Sequence, residues 1–294
     1  MRRPSTVELM LLATVLLWSL NLSVTKYILE HGFLPLSYAT VRYGCAGVIF
    51  IVLTLAVERT LRVERRHAVV LGVAAVILFV NQLCFIFSLD LAAASTIGLV
   101  LGSTPIFAAS FGLVMGTERP TRRFWLSAGI SFAGVGLVAI GASGDVGGEL
   151  LGIVLGLGMS ATWAAYSVAM GPLMHTYSPS RTSAIVIPLA WVGIALVGLP
   201  QTTEQDWNLG AQVWALMAYA ILGPLVLTNV FWFRSIHRIG PAKATLAANL
   251  QPFVAAVLAV VLLSEPLGAL QVAGGVLIAA GILVARRSRR PQAT

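Results

Sequence analysis

The chain has 294 residues, of which 58% are hydrophobic and only 10% charged, and its mean hydropathy is +0.89. A soluble domain carries about 25% charged residues, so a chain this apolar has no water-compatible surface to offer and belongs in a bilayer. The net charge of +8 does not indicate a nucleic-acid partner, because the basic residues fall in short clusters between apolar runs and form no single face.

A spanning helix needs about 20 mostly apolar residues. In chain order the pattern predicts ten: 7–29, 36–57, 67–89, 92–116, 122–141, 149–170, 182–200, 210–233, 241–263 and 267–286. The first is expected to stay in the protein and not to be cleaved as a signal peptide. Its apolar run is too long, it contains Trp18 and Asn21, and no small-residue cleavage site follows. Cys45 and Cys84 lie inside apolar runs and are expected to be buried packing thiols. The loops leave no room for a soluble domain, and the longest are expected around 142–149 and 200–210.

Lys and Arg accumulate on the cytoplasmic side of bacterial-type membranes. With the N-terminus inside, the inner segments hold every one of the 19 basic residues except Lys26 and Arg42. The outer loops then hold Glu30, Asp90, Asp145, Glu149, Glu204, Asp206 and Glu265. The expected topology therefore places both termini in the cytoplasm, in an inner (plasma) membrane.

A block near the middle recurs at the end. AAASTIGLVLGSTPIFAASFGLVMGTERP (92–120) aligns with IGPAKATLAANLQPFVAAVLAVVLLSEPL (239–267) at an offset of 147 residues, which pairs Pro105 with Pro252, Glu118 with Glu265 and Gly134 with Gly281. Each half holds five predicted helices, an odd number, so the second copy is inverted relative to the first. The expected fold is an all-α integral membrane protein of ten helices in two inverted five-helix repeats, residues 1–144 and 145–294. Two such halves are the architecture of an alternating-access carrier. Glu118 and Glu265 stand beside Pro120 and Pro266, where first-turn and dipole roles for helices 5 and 10 account for them.

Lipid supplies no hydrophobic drive between helices, so small residues mark close contact. Helix 6 carries Gly152, Gly156, Ser160 and Ala164; helix 5 has Gly129 and Ala133; helix 10 has Gly275 and Ala279. Packing explains most of these, and a sliding surface on helix 6 is the alternative. Helices 5 and 10 hold almost no polar residues, which makes them a peripheral layer and the candidate face of a homodimer.

Polar side chains at membrane depth face a cavity or a partner. Asn81-Gln82 in helix 3 falls on Thr228-Asn229 in helix 8; Thr104-Pro105 falls on Gln251-Pro252; Gly102 falls on Asn249. Helix 1 has Trp18 and Asn21 where helix 6 has Trp163 and Tyr166. Trp18 and Trp163 lie near helix centres, where an interfacial anchor is ruled out and a cavity wall is the better reading. Each proline removes a backbone donor and frees the carbonyl four residues back, at 101 and 248; the site is a kink, a ligand-lining break and hinge, or both. Arg42 has no basic counterpart in the repeat. It is either a clamp for a carboxylate or phosphate, or a structural partner of Asp90 or Glu30 or a snorkelling side chain.

No Asp or Glu lies in the middle of a helix, so the sequence offers no support for proton coupling. There is no Walker A, HExxH or GxSxG pattern, and neither an enzyme nor a cofactor or metal is expected.

At LLWSLNLSVTK (16–26), SATWAAYSV (160–168), the two proline-to-glutamate spacings and the Gly-rich helix after each Glu, the chain resembles the EamA family of the drug/metabolite transporter superfamily. The resemblance implies a ten-helix inverted-repeat carrier in a bacterial inner membrane, often exporting amino acids or other small metabolites. It leaves the substrate open. The expected binding residues are Trp18, Asn21, Arg42, Asn81, Gln82, Thr104, Trp163, Tyr166, Asn229, Asn249 and Gln251, with a small-molecule substrate and the lipid bilayer as partners.

Overall fold

The computed structural model describes residues 6–116, 121–141, 146–239 and 248–288. These residues form helices joined by short turns, with no strand among them. In order the α-helices are α1 (Thr6–Glu30), α2 (Pro35–Glu58), α3 (Arg65–Leu91), α4 (Ala94–Val100), α5 (Thr104–Val114), α6 (Arg122–Ile140), α7 (Val146–Met170), α8 (Pro179–Glu204), α9 (Gly210–Ile221), α10 (Thr228–Ile239), α11 (Gln251–Leu263) and α12 (Ala269–Ser288). Eight stretches are long and apolar enough to cross a membrane, and Gln251–Leu263 and Ala269–Val284 are shorter apolar helices. The chain is thus a multi-pass helical membrane protein, as its composition requires.

Helices prevail because lipid offers the backbone no hydrogen-bond partner. Their outer faces are apolar. On α3, Val69, Val73, Val76 and Val80 are exposed along one stripe, while Leu71, Leu78, Asn81, Gln82 and Phe85 are buried on the opposite side. Apolar side chains fill the interior as well as the outer face, and the buried polar groups are set among them, whereas a soluble helix would turn a polar face outward.

Several helix ends are tied by neighbours. Pro35 opens α2, and the early amides of that helix find acceptors across the bundle: Leu34 N donates to Gln205 Oε1 and Leu36 N to Gln201 Oε1, both at 2.7 Å. These contacts belong to the end of α8, which runs four residues past the predicted 200. Back-bonding of Thr202 Oγ1 to Gly198 O and Thr203 Oγ1 to Pro200 O accompanies that extra turn. Ser178 caps the start of α8 by accepting from Arg181 N. Arg181 also pairs with Glu58 at the end of α2, Nη2 to Oε2 at 2.7 Å.

Predicted helix 4 divides at a 3-10 turn, Leu101–Ser103, into α4 and α5. Predicted helix 8 divides at a π turn, Leu222–Leu227, into α9 and α10. Predicted helix 9 is described from residue 248, so its start, with Lys243, lies outside the described residues, as do the 142–145 seam, Glu118 and the terminal arginines 2, 3, 289 and 290.

The main packing partners are α6 with α12, α2 with α8, α3 with α7, α3 with α8, α1 with α11, α4 with α11, α5 with α7 and α1 with α10. Small residues set the closest approaches. Gly134 of α6 and Gly274 of α12 face each other, and a Cβ built on either would lie 2.6 or 2.5 Å from the other's carbonyl oxygen. The stripe on α7 meets the first half: Gly152 faces Ala92, and Gly156 faces Ile97 and Val100. Gly129, by contrast, has nothing within 4 Å of such a Cβ.

Two expectations change. Glu265 does not serve the helix that follows it. Its carboxylate accepts from Ala94 N at 2.9 Å and Ser95 N at 2.8 Å, so it caps α4 across the bundle. The first turn of α12 is served by Gln271, whose Oε1 accepts from Gly268 N. The cysteines are both free, but Cys45 is exposed on the outer surface and Cys84 is half-buried beside Gly158.

Candidate functional site

The polar groups meet in one cavity of about 160 Å3 in the middle of the bundle, enough for a small molecule with some water. Its walls come from α1, α2, α3, the α4–α5 break, α7, the π turn with α10, and the start of α11. No described residue of α6 or α12 reaches it, in keeping with their expected peripheral place.

Trp18, Asn21, Arg42, Asn81, Gln82, Thr104, Trp163, Asn229, Asn249 and Gln251 all line this cavity, as do Pro105 and Pro252. Tyr166 does not. It is fully buried behind Trp163, its ring packed 5.6 Å from Trp163 and 6.1 Å from Phe233. Spacing alone put it with Trp163 one turn earlier on α7, but Trp163 itself holds the place at the cavity wall.

Three indoles form the aromatic end. Trp18 meets Trp163 edge-on at 5.3 Å and Trp232 at 5.2 Å. Trp18 Nε1 donates to Pro224 O at 3.1 Å, which fixes its ring between two helices. On the amide side, Asn81 Nδ2 donates to Met159 O (2.9 Å) and Thr162 Oγ1 (3.0 Å), and Gln82 Nε2 donates to Asn81 Oδ1 (3.0 Å). Asn229 Oδ1 accepts from Ser183 Oγ at 2.9 Å. Asn21 Oδ1 is buried and has no hydrogen-bond partner among the described residues. A buried acceptor without a donor is costly, and here it belongs to a cavity-lining side chain.

The backbone breaks follow from proline chemistry. Pro105 is the second residue of α5, and its missing N–H cannot serve the Leu101 carbonyl. That oxygen accepts instead from Thr104 N in the 3-10 turn and from Thr104 Oγ1 at 2.7 Å. Pro252 stands likewise second in α11. Ser19 Oγ of α1 donates to Gln251 O beside it, at 3.2 Å.

Pro224 is the site residue that the repeat comparison passes over, because nothing in the first half matches it. Its position in LGPLVLTN (222–229) was the available signal. It frees the carbonyl of Ala220, four residues back, and Arg42 Nε donates to that oxygen at 3.2 Å. Arg42 is 5% exposed. Among the described residues it pairs with neither Asp90 nor Glu30; Lys26 pairs with Glu30 at 3.7 Å and donates to the backbone carbonyls of Leu89 and Asp90. Tyr43 and Ser167 are further lining residues that sequence reasoning did not select. Among the described residues no group of His, Cys, Asp and Glu could hold a metal ion.

Fold and cavity together define a multi-pass helical membrane protein built around a solute-sized chamber with polar side chains set in a largely apolar wall. The profile of the EamA-like transporter family matches residues 5–140 and 150–287, so the chain belongs to that family, whose members are transporters and not enzymes. Among its relatives, the uncharacterized transporter YyaM of Bacillus subtilis (strain 168) is 26% identical over 95% of this chain and 93% of its own length. A probable amino-acid metabolite efflux pump of Salmonella typhimurium (strain LT2) is 28% identical over 93% of this chain and 92% of its own. A solved crystal structure shares the fold, with a TM-score of 0.66 at 21% identity, and covers 97% of this chain and 99% of that one.

Proposed function

We propose that this chain is a secondary carrier that exports a small metabolite, foremost an amino acid or a related compound, by alternating access. The observation that carries this reading is the cavity itself: residues picked from both halves of the sequence for their polarity converge on one chamber at the junction of those halves. A relative named as an amino-acid metabolite efflux pump supports the substrate class.

The reading includes ten spanning helices in two inverted repeats, 1–144 and 145–294. Two matched stretches of the family profile support the duplication. So does most of the packing when the halves are exchanged. The contact of α3 with α7 answers that of α10 with α1, and α1 with α11 answers α7 with α5, while α2–α8, α4–α11 and α6–α12 are each self-paired; α3 with α8 is answered more weakly, by α2 with α9 and the π turn. With five helices per half, this relation inverts one half against the other, the arrangement that lets a central site open alternately to each side. Both termini lie in the cytoplasm and the membrane is the inner membrane, on the strength of the Lys/Arg distribution. Asn21, Asn81, Gln82, Thr104, Asn229, Asn249 and Gln251 hydrogen-bond the solute, Trp18 and Trp163 form the apolar wall with Tyr166 behind it, and the helix breaks at Pro105 and Pro252 are the hinges. A homodimer would use the outer side of α6, where Gly129 and Gly136 have no neighbour within 4 Å of a built Cβ.

The test is counterflow in proteoliposomes with labelled amino acids, with and without a pH gradient. Exchange of one amino acid, lost when Asn81, Asn229 and Gln251 are together changed to Ala, supports both carrier and site. Unchanged kinetics in that triple variant place the site elsewhere. Two other readings make different predictions. A carrier of phosphorylated or nucleotide-linked sugars calls for several basic residues in the cavity, and Arg42 is the one Lys or Arg in the described lining. A non-transporting scaffold or sensor predicts no flux of any solute.

A further inference from the structure

We infer that Arg42 is a receptor for a carboxylate, and that the solutes this chain accepts must carry one; this deepens the carrier reading above and rests on it. The side chain is buried and lines the cavity, so its charge is removed from bulk water. Among the described residues it makes no ion pair. Its hydrogen bond among those residues is the one from Nε to Ala220 O, which leaves the four N–H groups of its two terminal nitrogens without an acceptor among them.

The geometry around it is that of an oriented group. The carbonyl that holds Nε is available because Pro224 cannot donate to it. The guanidinium carbon lies 5.8 Å from the Tyr38 ring centroid and 5.5 Å from that of Phe85, so two aromatic rings further restrain its plane. A guanidinium anchored through Nε presents its remaining donors as a fork, which matches the two oxygens of one carboxylate.

An uncompensated buried cation is unfavourable until an anion arrives. The described lining offers neither an Asp nor a Glu to supply that anion from the protein. The other intramembrane-side cation, Lys26, is already engaged by Glu30 and the end of α3 and does not line the cavity. A single arginine matches one carboxylate in charge. A phosphate dianion would leave an excess negative charge in the same low-dielectric space. Residue 189, the repeat mate of Arg42, is an exposed leucine, so this feature belongs to one half alone and does not follow from the duplication.

The experiment compares each of the twenty amino acids with its α-amide, and acetate and benzoate with acetamide and benzamide. The readout is the thermal transition of the purified full-length protein in detergent. At ten times its dissociation constant a bound acid raises the midpoint by about 2–4 °C. The expected result is that at least one acid shifts the transition and its amide does not. Arg42→Gln, with a cooperative transition of its own, weakens that acid about thirty-fold or more. Arg42→Lys, which keeps the charge but not the fork, restores part of the affinity and guards against a folding defect in the glutamine variant. An amide that binds as well as its acid overturns the inference, and so does an acid that binds Arg42→Gln unchanged or a panel of acids silent on folded protein. Counterflow on the same preparation separates the two claims. Flux indifferent to the carboxyl group ends the receptor and leaves the carrier; acid binding with no flux of any solute does the opposite.

Discussion

Replacing Gly134 with alanine is expected to open the contact between α6 and α12. A Cβ at this position lies 2.6 Å from Gly274 O and 2.9 Å from Ile278 N, both backbone atoms of a packed helix. Ordinary carbon–oxygen approaches in such interfaces begin near ~3.3 Å, so the axes must part by roughly half an ångström or more. A gap of that size forfeits a quarter to a half of each dispersion contact along the seam, and overpacking of this kind costs about 1–3 kcal/mol. For a chain this long the midpoint falls by about 2–5 °C. Gly274→Ala meets Gly134 O at 2.5 Å and behaves alike. The double variant costs less than the sum, because one separation relieves both clashes. The control lies two residues away: Gly136 has nothing within 4 Å of a built Cβ, and its alanine variant stays within about 1 kcal/mol of the parent. The assay is thermal unfolding of the detergent-solubilised protein followed by intrinsic fluorescence. Equal melting of Gly134→Ala and Gly136→Ala would refute the seam as described.

Substitutions at two further positions test the bundle's polar ties. Glu265→Ala removes the carboxylate that accepts from Ala94 N and Ser95 N, and the expected loss is about 1–2 kcal/mol. Glu265→Gln keeps an acceptor but no charge and falls between the two; thermal midpoints in the order wild type, Ala, Gln would contradict the capping role. Trp18→Phe keeps an aromatic ring beside Trp163 and Trp232 but leaves Pro224 O without the indole donor. It is expected to cost about 1 kcal/mol, against about 3–5 kcal/mol for Trp18→Ala, and matching losses in the two variants would show that the hydrogen bond carries the whole effect.

Much of the architecture was legible because a bilayer imposes a length and a polarity on every spanning segment. Helix limits were foreseen to within a few residues where an apolar run ended in charge, as at Arg65–Leu91 or Arg122–Ile140. The polar pairs were legible too, since Asn81-Gln82 and Gln251 have no reason to sit in an apolar run unless they face one another or a solute. Tyr166 was misplaced because a three-residue spacing fixes a helix face but not which ring stands in front. The role of Glu265 was missed because its partners, the amides of Ala94 and Ser95, are backbone groups far away in the chain, and backbone donors leave no trace in side-chain composition.

Composition and apolar run length by themselves determined a membrane-spanning helical chain, since those quantities depend on the solvent around the chain, and the 147-residue offset is the basis of the duplication proposed above. Tertiary structure decided the state of Arg42. The sequence left its neutralisation by Asp90 or Glu30 open, and only the packing of α2 against α9 and the π turn, with Lys26 pairing with Glu30, left the guanidinium in the cavity with a single backbone partner among the described residues. A charge's partner is set by distance in three dimensions, and distance between helices is the quantity that a linear sequence does not contain.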